Sequence, residues 1–271
     1  MRSKSEFLAA VPSNYPVWEY YVDRFRLYSS SAAARGLVAR GKMSTVEHIE
    51  VFGDKRELSF CAFCAGEITT RDHCPSRVLL DEPYPNHLPQ VPACQPCNEG
   101  FSLDEEYFAC LLACVLAGST DPKSVRREKV RRILERKPSL AARLDAACVR
   151  EGDSVAFSVE DARIQNVVTK LAQGHSLYEL HEHCLGTPNL IMIQPLLTMT
   201  DAERERFEAP TPSSLWPEIG SRAMHRLVVS GEDVHDWIIV QPDTYRYLAE
   251  AGEYKTIRIV IQEYLACRIE W

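Results

Sequence analysis

The chain has 271 residues, 45% hydrophobic and 25% charged, the balance of a packed globular protein and not of a disordered one. No run of about 18 apolar residues occurs and the first residues hold no apolar stretch of leader length, so the sequence predicts neither a membrane span nor a signal peptide and points to the cytoplasm. Formal net charge is −7, from 31 Lys and Arg against 38 Asp and Glu, which argues against coating nucleic acid by bulk charge, since phosphate binding runs on Lys and Arg.

Residues 15–40 predict a helix: after Pro16, the side chains Trp18, Tyr21, Val22, Phe25 and Tyr28 recur as one apolar face. Weak alternation between Met43 and Phe60 (Val46, Ile49, Val51), with a turn at Gly53-Asp54, predicts two short strands. Residues 61–97 are rich in Pro and polar side chains and too long for a plain loop, so something other than apolar burial must hold them. Ser102-Leu103-Asp104-Glu105 has the capping-box pattern ahead of an apolar run over 107–117. Asp121-Pro122 opens a further helix that Pro138 ends. A shorter helix over 139–150 follows, then a break at Gly152-Asp153. Next, Ser158 with Asp161 caps a helix carrying Ile164, Val168 and Leu171 on one face. Beyond residue 185 the texture changes: 190–197, 225–229, 237–240 and 257–271 read as short strands, with a Pro-rich linker at 209–217 and alternation at Ile257, Ile259 and Ile261. The organisation expected is a helical and β lead-in (1–58), a metal-held module (59–120), a helical segment (121–184) and a β-rich C-terminal segment (185–271).

Ten cysteines are many for a reducing compartment, where disulfides do not persist. Four of them form the pairs Cys61-x-x-Cys64 and Cys94-x-x-Cys97. Two such knuckles supply an all-sulfur tetrahedral site for Zn2+, closed by protein ligands and therefore structural. Between them lies Asp72-His73, with Pro75 close behind, and Asn98 follows the last Cys directly. An imidazole flanked by a carboxylate and a carboxamide suits phosphodiester hydrolysis. Asp72 and Asn98 offer oxygens to a hard cation such as Mg2+ or Mn2+, and His73 can take a proton from water near neutral pH.

This arrangement, extended by the stretch PACQPCNEGFSLDEEY, resembles the zinc-stabilised HNH endonucleases of the ββα-metal group, in particular an uncharacterised bacterial subgroup. The resemblance implies an α+β protein with a zinc-bound, treble-clef-like ββα module, flanking helices and a C-terminal mixed segment. Carried over by position, His73 matches the general base and Asp72 and Asn98 the ligands of the catalytic divalent ion. Cys61, Cys64, Cys94 and Cys97 match the structural zinc ligands. The middle motif position stays open between Asn86 and His87. The spacing from there to Cys94 is longer than the family's, and the final position falls near Phe101 or Ser102, where Asp104 or Glu105 can substitute. The family's activity implies metal-dependent cleavage of DNA, with RNA a second substrate, leaving 5′-phosphate and 3′-hydroxyl ends. A homodimer, a protein partner for the C-terminal segment and a bacterial defence role all fit such a nuclease. The competing reading is a non-catalytic zinc module that binds nucleic acid or a protein.

Residues 122–143 hold nine Lys and Arg against two Glu, a local balance of +7. Either this is a solvated helix, or Arg126, Arg127, Lys129, Arg131 and Arg132 lie on a nucleic-acid backbone. His175, His181, His183 and Cys184 read as helix-end residues before a second zinc site, because His181 and His183 point to different sides of a helix. Cys110 and Cys114 read as small buried hydrophobes, and Trp216, Trp237, Tyr245, Tyr247 and Trp271 as core.

Overall fold

The computed structural model describes residues 26–29, 44–45, 57–151, 154–211, 216–230 and 236–271. Most of the helix expected over 15–40, the Gly53-Asp54 turn and the Gly152-Asp153 break lie outside them. The architecture is mixed α+β. In chain order come β1 (Arg26–Ser29), β2 (Ser44–Thr45), β3 (Thr70–His73), β4 (Gln90–Ala93), α1 (Gln95–Gly100) and α2 (Ser102–Ala117). There follow α3 (Glu128–Arg136), α4 (Pro138–Ala147), β5 (Cys148–Glu151), β6 (Ser154–Ser158) and α5 (Asp161–His175). The C-terminal part holds β7 (Leu190–Pro195), α6 (Asp201–Glu208), α7 (Arg222–His225), β8 (Ile238–Gln241), β9 (Tyr245–Glu250), β10 (Thr256–Ile261) and β11 (Leu265–Glu270).

The strands form three sheets: β3 with β4, β1-β6-β5, and a six-stranded sheet in the order β2-β8-β9-β10-β11-β7. In that large sheet Ile257, Ile259 and Ile261 point into the main core, as their alternation predicts, while Val260 joins Phe207, Trp237, Leu248 and Ala266 on the opposite face. Both faces are therefore covered. Helix α2 is buried at every position from Tyr107 to Val115, the pattern of a helix enclosed on all sides. It packs against α5, and α5 in turn against β10 and β11. One continuous core thus runs from Cys74 to Ile269.

Several local expectations are corrected. Tyr28, assigned to a helix face, lies in β1 and pairs with Ala156 of β6. Residues 225–229 are helical and not a strand, since α7 runs into a π-turn over Arg226–Ser230. A short apolar run has no period long enough to decide between the two. Asp121-Pro122 opens only a 3₁₀ turn, with the Asp121 carboxylate accepting from the Lys123 amide at 3.0 Å. Pro138 starts α4 at its first position instead of merely ending α3. The capping box at 102–105 does not form: Ser102 Oγ donates to the Glu99 carbonyl at 2.7 Å, and α2 begins without a side-chain cap. Trp216 is 70% exposed and no part of the core.

Candidate metal centre and the groups around His73

The first knuckle is a tight turn in which the Cys61 amide donates to the Gly66 carbonyl at 2.8 Å and the Ala65 amide to the Cys61 carbonyl at 2.9 Å. The second opens α1, with Cys94 at its N-cap and the Asn98 amide donating to the Cys94 carbonyl at 3.0 Å. The β3–β4 ladder pairs Thr70 with Ala93 and His73 with Gln90. It brings the knuckles together, helped by the Ala62 amide on the Pro92 carbonyl at 2.9 Å and the Gln95 amide on Thr69 Oγ1 at 2.8 Å.

The sulfurs of Cys61, Cys64, Cys94 and Cys97 all lie within 4.8 Å of one another, and those of Cys64 and Cys94 are 3.7 Å apart. Zinc–sulfur bonds of about 2.3 Å in a tetrahedron require sulfur separations of about 3.8 Å, so this quartet could hold a metal ion such as zinc. The backbone amide and thiol of Cys97 draw the Cys94 thiol down to about 7. Burial and the neighbouring thiols hold the Cys97 thiol well above its ordinary value. Four thiols this close resist ionising together unless a cation compensates them. Among the described residues no other His, Cys, Asp and Glu group is a candidate metal cluster. His175 stacks on Tyr247 at 3.7 Å and hydrogen-bonds Tyr245 through Nε2 at 2.8 Å, with burial holding its pKa down near 3. Cys110 and Cys114 are buried thiols, each pushed up to about 12 by burial.

Successive strand side chains point to opposite faces, and that separates Asp72 from His73. Asp72 turns inward and is 7% exposed. Its Oδ2 lies 2.7 Å from Nζ of Lys170 on α5, and Lys170 also hydrogen-bonds Glu105 of α2. Burial opposes the charge on Lys170, but the two carboxylates outweigh it and hold the pKa above the ordinary lysine value. His73 is half-buried, and the Gln90 side-chain amide donates to its Nε2 at 2.8 Å, which leaves the ring proton on Nδ1. Burial and the Arg77 guanidinium push the His73 pKa below its ordinary value, with Asp72 offsetting part of the shift, so the ring is neutral near pH 7. Asn98 reaches from α1 to β3, its amide donating to the Arg71 carbonyl at 3.4 Å and to Thr70 Oγ1 at 3.5 Å. Asn86 and His87 are exposed in the strap between the strands, and the residue opposite His73 in the ladder is Gln90. Alternation alone does not single Gln90 out. Asp72 and Asn98 do not fit a divalent ion as they stand, because the carboxylate is already neutralised by a buried ammonium and the carboxamide is turned amide-first onto backbone.

The strap itself is held by more than sulfur. Arg127 donates to Asp81 Oδ1 at 2.6 Å and to the Val78 and Leu80 carbonyls at 3.0 and 2.7 Å, and Lys129 donates to Tyr84 Oη at 2.7 Å. Arg132 pairs with Glu128, Arg126 is exposed and Arg131 half-buried. Arg126, Arg127, Lys129 and Arg132, but not Arg131, border a cleft of about 520 Å³ lined also by Leu80, Asp81, Ile133 and Arg136. Each acid of the DEEY stretch pairs with a different cation: Asp104 with Arg163 at 2.7 Å, Glu105 with Lys170, and Glu106 with Lys137 at 2.6 Å. Of the two candidate substitutes at the final motif position, Glu105 is therefore the one that shares a cation with Asp72. Comparison with known protein families, curated proteins and solved structures returns no match for this chain.

Proposed function

We propose that this chain cleaves phosphodiester bonds in nucleic acid, DNA or RNA, on an HNH-like hairpin–helix unit stapled by a structural zinc ion, with His73 as general base. The observation that carries the reading is the half-exposed imidazole on β3, oriented by Gln90 and kept neutral by burial and the charge of Arg77. In this account substrate displaces the Gln90 amide from Nε2, the freed lone pair of His73 takes the proton of the attacking hydroxyl or water, and the departing sugar oxygen takes a proton from solvent. Arg77 supplies positive charge near the phosphate, and the Arg126 and Arg132 side of the cleft carries the flanking backbone, while Arg127 holds the strap in shape. Zinc on Cys61, Cys64, Cys94 and Cys97 fixes the two knuckles and takes no part in the chemistry.

The test is cleavage of supercoiled plasmid and of labelled single-stranded RNA by the zinc-loaded chain and by His73→Ala. Loss of a general base lowers the rate by about 10²–10⁴-fold. Cleavage that is unchanged in His73→Ala would overturn the assignment. The second reading, a zinc module that binds nucleic acid or a protein without cutting, is favoured by one observation, the ion pair that occupies Asp72. It predicts binding without cleavage on every substrate, with affinity falling as salt rises.

A further inference from the structure

Asp72, Glu105 and Lys170 come from β3, α2 and α5 and are 7%, 7% and 2% exposed. Two carboxylates thus meet in the interior on one ammonium, which lies 2.7 Å from Asp72 Oδ2 and is hydrogen-bonded to Glu105 Oε1. The rings of Phe63 and Phe101 stand 5.7 and 5.3 Å from Lys170 Nζ and pack edge-on to each other with centroids 5.2 Å apart. An ammonium gains from aromatic faces. Lys170 is fixed as well as buried: it lies within α5, one residue before Leu171, whose carbonyl accepts from the Cys74 thiol at 3.2 Å.

We infer that Lys170 is the resident cation of this site, bridging Asp72 and Glu105 and closing that carboxylate pair to divalent metal ions. Applied to the cleavage reading above, on which only this clause rests, the chemistry at His73 runs without added magnesium or manganese.

The experiment is a Mn2+ titration of the zinc-loaded full chain, followed by electron paramagnetic resonance and calorimetry. Wild type, Asp72→Asn and Glu105→Gln are expected to give superimposable curves, because no Mn2+ reaches these carboxylates. Lys170→Met, which removes the ammonium and keeps the stem, is expected to gain one Mn2+ site and a Tm that rises with Mn2+. Both gains should vanish in Lys170→Met/Asp72→Asn. A wild-type Mn2+ site that is lost in Asp72→Asn overturns the inference, and so does a folded Lys170→Met that takes up no Mn2+. The comparison of wild type with the two near-isosteric acid variants decides the question even where Lys170→Met does not fold. A chain that cuts no substrate sinks the cleavage reading, and the Mn2+ comparison still stands or falls on its own.

Discussion

Asp72 and His73 are neighbours in sequence and end in opposite electrostatic settings, one neutralised by a buried ammonium and the other held neutral by burial and a guanidinium. The second setting has a sign that can be measured. A histidine whose pKa is lowered keeps its free-base form to below pH 6.5, so cleavage is expected to be flat across neutral pH and to fall only on the acid side. Arg77→Gln removes a positive charge, makes the imidazolium easier to form and raises the pKa. The acid limb of the rate profile, and the titration of the His73 ring followed by NMR, should both move to higher pH. A limb that stays in place or moves down would show that Arg77 does not face the ring. At this scale the sequence is informative where partners are local. Two C-x-x-C pairs declare their own assembly, because each knuckle needs only a few consecutive residues. The partner of Asp72 is illegible, because Lys170 arrives from a helix about a hundred residues on and sits at the edge of an apolar stripe (Ile164, Val167, Val168, Leu171), where a lysine reads as solvated. Gln90 is equally silent, since only the ladder register sets it opposite His73.

Helix α5 approaches the hairpin at Gly174, where a Cβ would lie 2.6 Å from Cys74 Sγ and 3.0 Å from Cys74 Cβ. Both residues are buried, so Gly174→Ala is expected to destabilise by about 1–3 kcal/mol through overpacking. Denaturant melts should show part of that loss restored in Gly174→Ala/Cys74→Ala, which removes the sulfur. An additive double mutant would place the strain elsewhere. The strap over 77–84 depends in the same way on one side chain of the segment before α3. Arg127→Met strips three hydrogen bonds from Val78, Leu80 and Asp81. It should cost about 1.5–3 kcal/mol while leaving zinc content unchanged by elemental analysis. Element existence was legible in the long apolar run of α2 and in the periodic patterns of α5 and β10. It failed at 225–229, where a few apolar residues continue a helix as a π-turn, and at Tyr28, where pairing with β6 overrode an apparent helical face.

Residues between and after the four cysteines, Cys74, Leu79, Leu80 and those from Tyr107 on, belong to a core that continues through α5 to β11. The segment 59–120 alone would expose the inward face of α2, including Leu111, Leu112 and Val115, all fully or almost fully buried in the chain. Expressed by itself with zinc, it is expected to aggregate or remain unfolded by circular dichroism. A stable, zinc-loaded fragment would show that the hairpin needs no support from the sheet. The converse loss is local. In Cys64→Ser/Cys97→Ser, zinc is expected to be absent, with fast amide exchange over 61–97 and retained protection over 245–270, since β9, β10 and β11 keep their apolar contacts without the metal.

Because α5 presents Lys170 and Gly174 to the hairpin and also packs against β10 and β11, it is a shaft that joins the hairpin to the C-terminal sheet. A creviced sheet, made for instance by Ile259→Ala, would let that shaft settle by a fraction of an ångström. The imidazole resonance at position 73 would then report, from the far end, how tightly the C-terminal strands are closed.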